Sequence, residues 1–339
     1  MSEVRVGVLG LGRIGRLHAS NVAAGVPGLR LAAAYDPAPE AGSVAAGLDV
    51  PLRAAWQEVV EDPGVDAVLV CSPPDAHAEQ IVAAAEARKH VFCEKPLDRS
   101  LEAIDLILGA VEAAGTVLQV GFNRRADRNF AAVRERLAAG EIGEPWLLRI
   151  TSRDPHPASK EYVRDSGGLF VDMTIHDFDL ARFLLGSDVV SVSATGAALV
   201  DPGLVDLGDV DTAVTTLTFT SGAIGVIDNC RRAAYGYDQR VEVHGRLGML
   251  SAENEVAATV ELADVSGFHR PPLPEFFLER YHDAFVRELE RFAEAVAGGR
   301  PLADGRDGRL AVAIAIAART SLAQGRTVAL AEVLPGAPG

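Results

Sequence analysis

Val4-Arg5-Val6-Gly7-Val8-Leu9-Gly10-Leu11-Gly12-Arg13-Ile14-Gly15 is a short apolar strand that runs straight into Gly-x-Gly-x-x-Gly. A helical pattern then continues through Ala24. With a strand before it and a helix after it, the motif reads as a dinucleotide-binding turn. Gly10 allows the tight turn, Gly12 lets a pyrophosphate approach the backbone, and Gly15 lets helix and strand pack closely. Arg13 and Ile14 sit between the glycines and join them as cofactor-binding candidates. The helix N-terminus offers N–H groups and a positive dipole end to phosphates. The next strand, Leu29 to Tyr35, ends in Asp36, where a ribose-binding acid is expected. Pro37 and Ala38 follow, with no Arg or Lys beside them. A carboxylate there accepts from ribose hydroxyls and repels a 2′-phosphate, which predicts NAD over NADP. The competing reading is an Asp that starts a turn before Pro37.

Strand and helix patterns keep alternating. Asp66 to Cys71, His90 to Cys93 and Val117 to Val120 read as strands; Ala76 to Arg88 and Leu101 to Ala114 read as helices. That alternation predicts a parallel, doubly wound α/β sheet with ligands at the strands' carboxyl ends. Ser72, Pro73 and His77 lie past one such end, and Glu94-Lys95-Pro96 past another. Ser72, Pro73, His77, Glu94 and Lys95 are cofactor-side candidates, with packing alone expected of His77. Lys95 can hold a substrate oxygen as its proton leaves; its other reading is a surface lysine in a loop.

From Asn123 the pattern changes, which divides the chain into residues 1–122 and 123–339. Helices are expected over Ala126–Ala139, Glu275–Ala297 and Arg306–Gln324. Strands are expected over Trp146–Thr151, Val189–Ala194, Ala213–Thr220, Ala223–Asn229, Arg240–His244 and Val256–Leu262. Short loops between neighbouring strands imply antiparallel pairing. The fold class is therefore a Rossmann domain plus an α+β domain with a large, mostly antiparallel open sheet. The tail after Leu334, rich in Pro and Gly, is expected to fray. Within the second half, Gly167 to Gly186 reads as one capped helix. It would stack Asp172, His176 and Asp179, spaced i, i+4 and i+7, on a single face. One imidazole between two carboxylates suits proton transfer; a solvated charged face is the alternative.

The net charge of −15 argues against nucleic acid or an anionic membrane as partner. Cys71, Cys93 and Cys230 are few and far apart, as in a reducing compartment such as the cytoplasm. No Cys/His cluster has metal-ligand spacing, so no metal is expected. The N-terminus shows no signal peptide, and the apolar run Leu310 to Ala318 is too short to span a bilayer.

Taken together, the fingerprint, Glu94-Lys95-Pro96 and Asp172-x-x-x-His176 resemble the Gfo/Idh/MocA oxidoreductases over essentially the whole chain. Further stretches are similar to the inositol dehydrogenase branch of that family: Gly121 to Arg125, Thr151 to Pro155, Asp209 to Ala213, Arg231 to Arg240 and Phe276 to Tyr281. The resemblance implies a catalytic set of Lys95, Asp172 and His176, hydride transfer to NAD, and a homotetramer packed through the open sheet of the second domain. His176 would take the hydroxyl proton, Lys95 would bind that oxygen, and Asp172 would hold the substrate and bias His176. Arg125, Asp154, His156, Asp179, Tyr235 and Tyr281 are candidates for ringing a polyol with hydrogen bonds, or are structural polar groups. Without a dense basic cluster, a phosphorylated sugar fits poorly. The implied reaction is oxidation of myo-inositol at C2. Another inositol isomer, an amino-inositol or a pyranose is the alternative within the family, and a non-catalytic dinucleotide sensor is the alternative outside catalysis.

Overall fold

The structure is a computed structural model, and it describes residues 3–335; the end of the tail expected to fray lies outside the described residues. The chain forms two compact units. One runs up to Ala126 and takes in Asp283–Val312; the other is Asp127–His282 with the chain from Ala313 onward. The first break falls close to the expected cut at residue 122, and a late segment returns to the first unit. The physical reason is the helix His282–Val296. Its Phe285, Leu289 and Phe292 are buried at helical spacing. Leu289, Phe292 and Ala293 share one core with Val22, Leu29 and Phe92.

In the first unit, β1 (Val4–Leu9), β2 (Leu29–Tyr35), β3 (Ala67–Val70), β4 (His90–Cys93) and β5 (Leu118–Val120) make a sheet ordered β2-β1-β3-β4-β5. Every pairing is parallel. The strand order reverses between β1 and β3, where such sheets bind ligands. There Gly10 adopts φ +97°, and a Cβ on it would stand 2.7 Å from the Cys71 carbonyl oxygen. At Gly15 a Cβ would stand 1.9 Å from the Gly10 carbonyl oxygen. Gly15→Ala must therefore push the first helix away from the turn, at about 1–3 kcal/mol of overpacking. We expect a lower melting temperature and a smaller stabilisation by added NAD. A thermal shift with NAD as large as the parent's would show that the turn tolerates the methyl group.

In the second unit, β6 (Pro145–Arg153), β7 (Val189–Ala197), β8 (Thr212–Phe219), β9 (Ile224–Cys230), β10 (Asp238–Gly245) and β11 (Gly248–Ala252) join one large sheet. A small hairpin, β12 (Leu262–Asp264) and β13 (Gly267–His269), stands apart, and β14 (Val328–Ala329) completes the large sheet. The order is β11-β10-β6-β9-β8-β7-β14. Only β6 and β9 pair in parallel; the other pairings are antiparallel. Leu148, Ile150 and Ser152 of β6 are buried while Arg149 between them is exposed, the alternation of a sheet covered on one face.

Three expectations in this half are corrected. Val256 to Glu261 is not strand; the missed strand is β11, paired with β10 after a turn at Arg246 and Leu247. Glu275–Ala297 is interrupted at Tyr281, leaving Phe277–Arg280 and His282–Val296. Gly167–Gly186 is two helices, Gly168–Asp172 and Ile175–Leu185. At that break the Thr174 N–H reaches the Leu169 carbonyl, five residues back, which the Met173 N–H also uses. Thr174 Oγ1 then donates to Asn229 Oδ1 on β9 at 2.9 Å. The turn is widened and tied to the sheet rather than continued.

Candidate active site

In the first unit the sites converge on the carboxyl ends of the sheet. A Cβ at exposed Gly12 would meet nothing within 4 Å, so the backbone there is open to a ligand. The helix Arg13–Ala24 that follows has no side-chain cap at its N-terminus. Its first N–H groups are thus left for an anion. Asp36 starts the turn that the sequence reading offered as its alternative role, and it also reaches the glycine turn. Oδ1 accepts from the Ala38 N–H at 2.7 Å, a turn start, and Oδ2 accepts from the Leu11 N–H at 2.5 Å inside the glycine turn. A carboxylate has about four acceptor positions, so two ring hydroxyls can still be served. The open cradle and this acid fit NAD.

His77 is buried and spans two loops. Nε2 faces the Ser72 carbonyl at 2.8 Å and Nδ1 the Pro96 carbonyl at 2.9 Å. Burial lowers its pKa. Ser72 Oγ donates to Gln80 Oε1. The loop carrying Ser72 and Pro73 is thereby braced against the Glu94-Lys95-Pro96 turn, in which the Lys95–Pro96 peptide is cis. Glu94 folds back on this turn: Oε2 accepts from the Lys95 N–H at 3.3 Å and Oε1 meets His18 Nε2 at 2.8 Å. Lys95 itself is half-buried. Arg125 is buried in this unit, donating from Nη1 to the Leu302 carbonyl and to Asp307 Oδ2, both at 2.9 Å.

In the second unit the polar set lies across the break between the two helices. Asp172 ends the first and His176 follows Ile175 at the start of the second, so Asp172, His176 and Asp179 are not carried on one continuous helix as expected. Asp172 Oδ1 accepts from the Tyr162 hydroxyl at 2.8 Å. Oδ2 accepts from both Nη atoms of buried Arg231 at 3.2 Å. Neither Tyr162 nor Arg231 had been given a role, although Arg231 opens one of the stretches quoted for the family resemblance. His176 is half-buried, while Asp179 and Asp177 are buried, the latter receiving Asn229 Nδ2 at 2.8 Å.

The other ring candidates divide. Asp154 is half-buried and its carbonyl accepts from the Ala233 N–H at 2.7 Å; His156 is exposed in the loop beyond. Tyr235 donates to Asp238 Oδ2 at 2.6 Å and accepts from Arg153 Nη1 at 2.9 Å. Desolvation and the Asp238 carboxylate raise its pKa. Tyr281 is a core residue: its hydroxyl reaches Gln239 Oε1 at 3.3 Å and the Arg280 guanidinium lies 4.7 Å from its ring centre.

A glycine-rich cradle at the switch point of a parallel sheet, with an acid beside it after the second strand, is the layout of a dinucleotide-binding domain. The family comparisons make this specific. Residues 4–122 match "Oxidoreductase family, NAD-binding Rossmann fold", and residues 130–251 match "GFO/IDH/MocA C-terminal domain". The chain is 47% identical to a myo-inositol 2-dehydrogenase of Thermotoga maritima, over 98% of this chain and 100% of that one. It is 39% identical to a scyllo-inositol 2-dehydrogenase (NAD(+)) of Bacillus subtilis, over 97% and 96%. A crystal structure of a myo-inositol dehydrogenase from Corynebacterium glutamicum superposes with a TM-score of 0.92 at 38% identity, covering 97% of this chain and 99% of that one. This chain belongs to the Gfo/Idh/MocA oxidoreductases, and its first domain is the family's NAD-binding Rossmann domain.

Proposed function

We propose that this protein oxidises myo-inositol at C2 to the 2-keto inosose with NAD as acceptor. The observation that carries the reading is end-to-end similarity to inositol 2-dehydrogenases in a chain that carries Lys95, Asp172 and His176. Bound NAD supplies the hydride acceptor. The Glu94-Lys95-Pro96 turn presents an ammonium to the hydroxyl oxygen being oxidised and stabilises the charge that develops there. The His176 imidazole takes the hydroxyl proton. Asp172, itself oriented by Arg231 and Tyr162, biases His176 and accepts from a second hydroxyl. Asp154, His156, Asp179 and Tyr235 complete the polyol ring of contacts, with Arg125 and Tyr281 supporting it from buried positions. A site built this way discriminates because each missing hydroxyl strands a polar group, at about 1–3 kcal/mol.

The test is NADH formation by purified protein with saturating NAD and equal concentrations of myo-inositol, scyllo-inositol, chiro-inositol and glucose. Myo-inositol is expected to give the highest kcat/KM. Faster turnover of scyllo-inositol would move the chain to the other isomer's branch, and NAD binding without turnover of any member would favour a sensor.

The cofactor preference rests on Asp36. Asp36→Ala loses the ribose acceptor and also releases the Leu11 N–H, so kcat/KM for NAD should fall about tenfold or more, the worth of one to two hydrogen bonds to a charged group. Adding Pro37→Arg should recover activity with NADP but not with NAD. Equal kcat/KM for the two cofactors in the parent enzyme would overturn the assignment.

The protein acts in a reducing cytoplasm, and its assembly is a homotetramer joined through the uncovered face of the large sheet. That face exposes Val214, Ile224 and Met249 among polar neighbours. Among the described residues no helix is long and apolar enough to cross a membrane. Light scattering of the purified protein reads the assembly; a monomer would refute it.

A further inference from the structure

Glu288 is out of place. It lies on the buried face of the helix His282–Val296, between Phe285 and Leu289, and is 1% exposed. Neither carboxyl oxygen has a hydrogen-bond partner. Its Oε1 stands 3.9 Å from His18 Nε2, and the same nitrogen lies 2.8 Å from Glu94 Oε1. Among the described residues, His18, Glu94 and Glu288 form a group whose ligand-type atoms all lie within 4.8 Å of one another. His18 is wholly buried, edge-on to Phe92 at 5.1 Å and Phe285 at 5.7 Å. From Glu94 the chain of contacts continues to the Lys95 N–H through Oε2. The Glu94 carboxylate rests against Gly121, where a Cβ would stand 3.0 Å from Oε1. Gln119 fixes the base of the column by donating from Nε2 to the Glu288 carbonyl at 2.7 Å.

We propose that His18 and Glu288 are positioning residues for the Lys95 turn: Glu288 packs behind His18, His18 holds Glu94, and Glu94 fixes the backbone that carries the Lys95 ammonium. This rests on the catalytic reading of Lys95. The titratable groups facing Glu288 are His18, Glu94 and the Cys71 thiol; Cys93 faces Glu94 beside them. None is a fixed cation. Two carboxylates around one imidazole in such a pocket would be strongly disfavoured. Burial first, and the Glu94 charge second, push the Glu288 carboxyl well above its ordinary range. A carboxyl raised in the fold makes the folded state bind the extra proton. Its cost to stability is absent below the unfolded pKa and grows as pH rises above it, until the folded pKa is reached.

The test uses Glu288→Gln, Glu288→Leu, His18→Gln and His18→Leu, with Lys95→Ala as control. Gln at 288 keeps a neutral group of the same shape behind His18, so kcat should stay within about threefold of the parent. Its melting temperature should rise relative to the parent as pH goes from 5 to 8, because the ionisation cost is gone. Gln at 18 should retain part of the activity, through its own N–H to Glu94. The two Leu variants should lose about 10–10² in kcat, with little change in the Kd for NAD, and should move the midpoint of the kcat–pH profile. In the Lys95→Ala background His18→Leu should cost nothing further, since it acts through that lysine. If Lys95→Ala keeps full activity, the catalytic reading fails. If it loses activity but folded His18→Leu does not, this proposal fails. Should the Leu variants not fold, a Glu288→Gln enzyme more than tenfold slower, or without the relative stabilisation at high pH, overturns it equally. One equivalent of metal in the parent protein by elemental analysis would also overturn it, by assigning the cluster to a cation.

Discussion

His176→Ala is expected to turn over about 10²–10⁴-fold more slowly than the parent, the usual worth of a positioned general base. The imidazole sits at the opening of the helix Ile175–Leu185 and is half-buried, so its removal leaves the core untouched. Stability should therefore change little while kcat collapses. Lys95→Ala should lose at least as much, because no other cation is carried on that turn. Both variants should still bind NAD, since the glycine turn and Asp36 are intact. In the parent, kcat should rise with pH through one ionisation as the base is freed of its proton; that limb should vanish in His176→Ala. Stopped-flow NADH formation with equilibrium NAD titration separates the two effects. Near-normal turnover in either variant would make that residue structural.

How much of this was legible in the sequence depends on how local each signal is. The glycine turn, β1 and the helix after it are encoded within a run of 21 residues, Val4 to Ala24, and the structure follows them closely. Asp36 stands out in the sequence because an acid is expected at a fixed distance along one βαβ unit, and the structure ties it to the glycine turn. The break at Met173 and Thr174 was not. Gly167 to Gly186 carries unbroken helical spacing, and what interrupts it is distant: Thr174 and Asp177 are both bonded to Asn229, more than fifty residues on. Propensity gave way to a tertiary contact. The return of Asp283–Val312 to the first unit was hidden for a related reason. An apolar stripe states that a helix is covered, not by which unit. Glu288 could have been flagged, since it is a carboxylate at i+3 from Phe285 on the very stripe that is buried. Its partners, His18 and Glu94, are too far along the chain for any spacing rule to collect.

Arg231→Met is expected to impair catalysis without any direct part in it. Arg231 is 2% exposed and its partner Asp172 is 12% exposed. Removing one member of a buried pair leaves the other uncompensated, at about 3–5 kcal/mol when burial is complete. Here the cost should be smaller, because the Tyr162 hydroxyl still reaches Asp172 Oδ1. What remains is a carboxylate that has lost both guanidinium contacts on Oδ2. Its orientation is then less restrained, and the role proposed for it beside His176 should suffer. We expect kcat to fall about 10–10²-fold, since misplacement on the ångström scale costs that much. Met preserves most of the buried volume, so the defect reports the lost charge and hydrogen bonds. Asp172→Asn should be slower still, and the double variant should be no slower than Asp172→Asn alone, because Arg231 acts only through that carboxylate. Tyr162→Phe, at a position 45% exposed, removes the lesser restraint and should cost less than Arg231→Met. Additive losses in the double variant would place Arg231 in some other role, in contact with the substrate itself.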